Sequence, residues 1–116
     1  MRTPWGIADS AERIADGITF YTTPSHGGVG LSAARQRDMP DALRVEGGWY
    51  EEDCDYALVV LAFPDEFPAG ASDRAAESVA NWQPERFERH FGATLRPEDS
   101  HMLRQRAGAI SEANVR

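Results

Sequence analysis

Lysine is absent: all 12 cationic side chains of this 116-residue chain are arginine, against 19 carboxylates, for a net charge of −7. Cysteine occurs once, so no disulfide can close within the chain and nothing marks it for an oxidising compartment. Long hydrophobic runs are missing too. The longest, Tyr56 to Phe63, has eight residues, against the roughly 20 a bilayer-spanning helix needs. Met1-Arg2-Thr3-Pro4-Trp5-Gly6 holds no apolar stretch of signal-peptide length. A cytoplasmic chain without membrane contact is expected. No histidine–acid or cysteine pair falls at standard metal spacing, so neither metal nor cofactor is expected. Positive charge is scarce where negative charge is dense. Asp38 to Asp73 carries ten carboxylates and one base, Arg44. A segment of that sign disfavours direct duplex DNA binding, which needs cations against phosphates, and suits a basic partner.

What is present, 41% hydrophobic and 27% charged residues, fits one soluble domain over residues 1–116. The first nine residues read as an arm anchored by Trp5. Ala11 to Ile14 is a short strand, Asp16-Gly17 a hairpin turn, and Ile18 to Thr23 a β-branched and aromatic strand. Pro24 to Gly28 interrupts, and Val29-Gly30-Leu31 resumes. The expected fold is α+β: a small antiparallel N-terminal sheet of about three strands, then about four helices packed on its inner face. The β-meander covers about 11–31 and the helical part about 32–115.

In the helical part Ser32 caps a short helix over Ala33 to Arg37 that Pro40 stops, with one more turn over Pro40 to Arg44. Ser72 caps a helix from Asp73 to Trp82, with Ala75, Val79 and Trp82 inward. Pro84 opens another, carrying Phe87 and Phe91, which Gly92 ends. Pro97 opens the last, through Met102, Leu103, Ala107 and Ile110, fraying toward Arg116.

Gly47 to Pro64 is the central stretch. Tyr56 to Phe63 suits a buried helix or a buried strand equally by periodicity. Length and the crowding of Glu51, Glu52, Asp53 and Asp55 at one end, where a helix dipole welcomes anions, favour a helix. In that phase Cys54 points inward beside Leu58 and Leu61.

Each chemical candidate has a plainer counterpart. His26, in Ser25-His26-Gly27-Gly28, has the acid–base chemistry of a catalytic residue and is the one weak catalytic candidate; a tight turn made by glycines at positive φ is the favoured account of the motif. Cys54 with His26 as base would form a nucleophilic dyad, yet the surrounding carboxylates raise a thiol's pKa, and a buried structural thiol is favoured. The Glu51–Asp55 acids splay too widely on a helix for a metal. Helix-end electrostatics, or an acidic face for a partner, fit them better. Trp49 and Tyr50 suit either an arginine-rich partner or a sheet–helix junction, and core placement is the commoner case for such aromatics. His90 and His101 have no companion motif.

Several blocks together resemble a known family. Pro4-Trp5-Gly6, Thr23-Pro24-Ser25-His26-Gly27-Gly28, Leu31-Ser32, Met39-Pro40, Gly48-Trp49-Tyr50-Glu51-Glu52-Asp53-Cys54-Asp55 and Leu103-Arg104-Gln105-Arg106-Ala107 are similar to a domain-of-unknown-function family. That family is associated with phage, plasmid and other mobile-element proteins, alone or fused to other modules. The resemblance implies a setting and brings no catalytic residues.

The expectation leans away from an enzyme. It is a non-enzymatic acidic binding protein of a mobile element that inhibits a host nucleic-acid-handling defence complex, of anti-CRISPR or anti-restriction type. Glu46, Glu51, Glu52, Asp53, Asp55, Asp65 and Glu66 would occupy a basic nucleic-acid groove on the host complex, with Trp49 and Tyr50 as anchors. The alternative is a small enzyme or ligand-binding domain built on His26 and the Glu51–Asp55 cluster. It requires those two distant blocks to converge in one cleft, whereas a flat acidic face favours the inhibitor. Self-association through a structural module is a third class, and the oligomeric state is left open.

Overall fold

The computed structural model describes residues Met1–Val115, with side-chain surroundings as far as Ala109. The expected inward Ile110 side chain and the fraying at Arg116 lie outside the described residues. The fold is α+β, as expected. An antiparallel hairpin of β1 (Arg2–Thr3) and β2 (Gly6–Ile7) precedes a four-stranded antiparallel sheet. That sheet runs β3 (Ser10–Ala15), β4 (Ile18–Thr22), β5 (Gly27–Leu31) and β6 (Trp49–Glu51), in that order. The Asp16-Gly17 turn forms as expected, with Gly17 at φ 80°.

The sheet has two different faces because side chains alternate along a strand. Ile18, Val29 and Tyr50 are fully buried on the inner face, and half-buried Phe20 lies with them. The opposite face carries Tyr21, Gly28, Gly30, Trp49 and Glu51, which the register sets side by side. Neither Gly27 nor Gly28 has positive φ, so the expected glycine turn is not there. Both are buried strand residues, and small size is what their places require.

The central stretch departs from the expected single helix. Trp49 to Glu51 is strand β6, residues 52–55 turn, and only Tyr56–Ala62 is helical, as α2. Gly47 and Gly48, at φ 96° and 80°, turn the chain so that β6 meets β5. Hydrogen bonds to a waiting strand outweigh the dipole preference that carboxylates have for a helix end. Glu52 N–H extends the ladder to the Gly27 carbonyl at 3.0 Å. No acid stands in the first turn of α2, and Asp55 caps it without a side-chain bond.

Helices then stack outward from the sheet. Helix α1 (Ala33–Asp38) is capped by Ser32, whose Oγ accepts from Arg35 N–H at 3.2 Å. Ala57, Leu58, Val59 and Val60 of α2 are buried between the sheet and α3 (Ala71–Trp82). Packed in turn on α3 are α4 (Pro84–Phe91) and α5 (His101–Val115), giving an elongated body of 53 × 30 × 24 Å. Pro84 and Gly92 bound α4 as expected. Two details differ. Helix α3 starts from Gly70 at φ 85°, ahead of Ser72, and Trp82 is 53% exposed where an inward ring was expected. Arg86 of α4 reaches back to the carbonyls of Ala42 and Arg44, at 3.0 and 3.2 Å, and ties the helical end to the Pro40 turn.

Candidate functional site

Pairing of β6 with β5 brings the two motif blocks together. Thr23 first shapes the loop. Its Oγ1 donates to the His26 carbonyl at 2.7 Å and accepts from His26 N–H at 3.1 Å. The imidazole then stands with Nδ1 3.5 Å from Glu51 Oε1, both side chains partly open to solvent. His26 therefore meets the acidic block at Glu51, which is one part of what the alternative function requires. No group of three or more metal-ligating side chains occurs among the described residues.

Beside this pair the outer sheet face is aromatic. Trp5, from the turn between β1 and β2, lies over Gly28, and Trp49 lies over Gly30. The two indoles meet edge to face at 5.9 Å, and Tyr21 tilts against Trp49 at 5.5 Å. Pro4-Trp5-Gly6, Ser25-His26-Gly27-Gly28 and Gly48-Trp49-Tyr50-Glu51 thus share one region. In the sequence Trp5 reads as an arm anchor and Tyr21 as one residue of a β-branched and aromatic strand. Glycines at alternate positions of a strand, bare of side chains, were the signal that rings cover that face.

Of the expected partner-binding residues, Glu52 and Asp53 are exposed in the 52–55 turn with no ion pair among the described residues. Glu51 lies next to them. Asp55 is half-buried, accepting from Gln83 Nε2 at 3.4 Å. Glu46 is exposed but precedes β6, off the strand end opposite Glu52. Asp65 and Glu66 follow α2, and Glu66 is taken by Arg35 at 2.7 Å. The seven carboxylates therefore divide among three places, with the dense group at Glu51 to Asp55. Tyr50 is fully buried and so is not the exposed anchor that was expected. Its neighbour Trp49 is half-buried against the outer face. Cys54 is exposed, not inward beside Leu58, because it lies in the turn and not in α2. Desolvation, then Asp55, Glu51 and Asp53, push its thiol pKa up, which disfavours the thiolate.

Desolvation also raises the Asp55 pKa, against the lowering effect of Arg86 and the Gln83 bond. A carboxyl with a raised folded-state pKa binds more protons folded than unfolded between the two values. Stability then falls as pH climbs through that window, and the penalty is complete above it. Asp55→Asn is expected to raise the thermal midpoint at pH 7 and to change it little near pH 3. Equal shifts at both pH values would show that charge is not the cause.

A second feature borders the acidic turn. An open groove of about 410 Å³ runs between α2 and α3, walled by Tyr56 and Phe67 and floored by Ala57, Val60 and Ala75. Glu52 and Asp53 stand at its rim, and Arg74 on its α3 side. No helix among the described residues is long and apolar enough to cross a membrane.

These features define a small α+β domain whose sheet carries an aromatic outer face with a histidine–carboxylate pair and an acidic turn at its end. The chain belongs to the family described as domain of unknown function (DUF7007), which it matches over residues 1–113. No curated protein and no solved structure matches it.

Proposed function

We propose that the protein is a non-enzymatic binding protein of a phage, plasmid or other mobile element. It inhibits a host nucleic-acid-handling defence complex, of anti-CRISPR or anti-restriction type, by setting its acidic sheet end into a basic groove of that complex. The observation that carries this reading is the turn after β6. Glu51, Glu52 and Asp53 are consecutive and accessible, and the one base within ion-pair distance of them among the described residues is the partly exposed His26. Such a group attracts cations at long range and steers encounter. The resemblance of the motif blocks to mobile-element proteins supports the setting.

The test is capture of a partner from the native host, followed by binding kinetics against salt. Reversing Glu51, Glu52 and Asp53 to lysine is expected to slow association at least about tenfold, with a steep salt dependence in the parent protein. Affinity that ignores both salt and the reversals, in variants folded by circular dichroism, would sink the proposal.

The 3.5 Å approach of His26 to Glu51 favours a second reading, a ligand-binding or catalytic domain using that pair. His26→Ala separates the two. The binding reading expects partner affinity to change by less than about threefold, since one rim contact is worth little. Abolished activity in a folded His26→Ala protein would favour the second reading.

A further inference from the structure

We infer that the groove between α2 and α3 is the anchoring slot for this acidic face. It receives a short basic segment of a protein partner, one large apolar side chain entering the groove with arginine or lysine beside it. The inference deepens the proposed function and rests on it.

Three observations converge. The first is shape: Ala71, Ala75 and Ser78 on α3 are small, while Tyr56 and Phe67 are large and meet edge to face at 5.8 Å. That contrast leaves about 410 Å³ open to solvent, room for a leucine- to tryptophan-sized side chain and its neighbours. Chemistry is the second, because the walls and floor are mainly carbon and gain by losing water. The third is charge: Glu52 and Asp53 stand on the rim with no ion pair among the described residues, so a cation placed there meets two carboxylates. Arginine can also lie on an aromatic face such as those of Tyr56 or Phe67. Arg74 on the α3 wall repels a second cation from that side. It thereby orients the segment, basic residues toward the 52–55 turn. Long-range charge then brings the partner in, and the apolar side chain holds it.

The probe is a blocked hexapeptide with two central leucines flanked by arginines, titrated into the 15N-labelled full chain. Controls are the same peptide with glutamates for arginines, and one with serines for leucines. Saturable shifts at the amides of Ala57, Val60 and Ala75 are expected for the arginine–leucine peptide alone. Glu52→Gln with Asp53→Asn should weaken it about five- to tenfold, as expected for rim charges near a docking site. Ser78→Trp should fill the slot and abolish the shifts. Ala71→Leu, filling it from the other end of the α3 wall, serves if the tryptophan disturbs folding. Equal binding of either control peptide, or binding indifferent to both filling variants, overturns the inference. So does self-association that moves the same amides without peptide, since the occupant would then be a second copy. With a captured host partner, loss on charge reversal but not on slot filling would remove the slot and leave the acidic face standing. Indifference to both would remove both.

Discussion

Gly28→Ala is expected to cost about 3 kcal/mol of stability, the upper end for overpacking a filled site. A Cβ at Gly28 would stand 2.5 Å from the Tyr50 carbonyl oxygen and closer still to the Trp5 ring. The ring can swing away, but the carbonyl belongs to β6, whose register with β5 pairs Val29 with Tyr50. Relief therefore means moving the strand that delivers Glu51 to His26. Gly30 makes the fitting comparison. The nearest atoms to its Cβ would be ring atoms, Trp49 Cζ3 at 2.7 Å and Tyr21 Cε2 at 2.9 Å, and rings can give. Gly30→Ala is expected to cost about 1 kcal/mol, the low end of the same range. Urea unfolding followed by circular dichroism measures both. Adding Trp5→Ala to Gly28→Ala should recover only part of the loss, because the Tyr50 carbonyl remains. A Gly28→Ala protein within about 0.5 kcal/mol of the parent, the ordinary surface range, would show that β5 and β6 do not meet as described.

The same contact explains what the sequence displayed and what it hid. Local signals decided the Asp16-Gly17 turn, the Ser32 cap and the Pro84 and Gly92 bounds, since each depends on backbone preferences of one or two residues. The α+β order was legible for the same reason. The division of Gly47 to Pro64 was not. Trp49 out, Tyr50 in and Glu51 out is a period-two pattern only three residues long, and nothing local says that β5 waits to pair with it. Acids at a helix end imply a Cys54 that points inward, and the turn over residues 52–55 exposes it instead. At the candidate site, the acids themselves were plain from composition. Their division was hidden because it depends on where β6 and α2 end. The groove was hidden as well, since Phe67 and Ala75 are brought to Tyr56 by tertiary packing.

Tyr50→Ala is expected to remove about 3–5 kcal/mol, the cost of emptying an aromatic site in a packed core, out of a total that for a domain is about 5–15 kcal/mol. Tyr50 is fully buried on the inner sheet face with Ile18, Val29 and Leu58 in one core cluster. Its hydroxyl works at the far end of the ring, donating to Gln36 Oε1 at 2.8 Å and accepting from Val45 N–H at 3.0 Å. Gln36 Nε2 donates in turn to the Val45 carbonyl at 2.6 Å. One phenol thus ties β6 to α1 and to the loop between them. Desolvation raises its pKa, against the lowering effect of the Val45 and Gln36 bonds and of Arg44 and Arg86. The hydroxyl accordingly stays protonated through neutral pH, and no pH dependence is expected from it there. Tyr50→Phe separates packing from hydrogen bonding. It keeps the ring but strips partners from the half-buried Val45 amide and the half-buried Gln36 side-chain oxygen, at about 1 kcal/mol. Gln36→Ala should overlap that loss, so the double variant should fall short of the sum of the singles. Full additivity in urea unfolding would mean that the two side chains act separately and that the phenol does not hold β6 to α1.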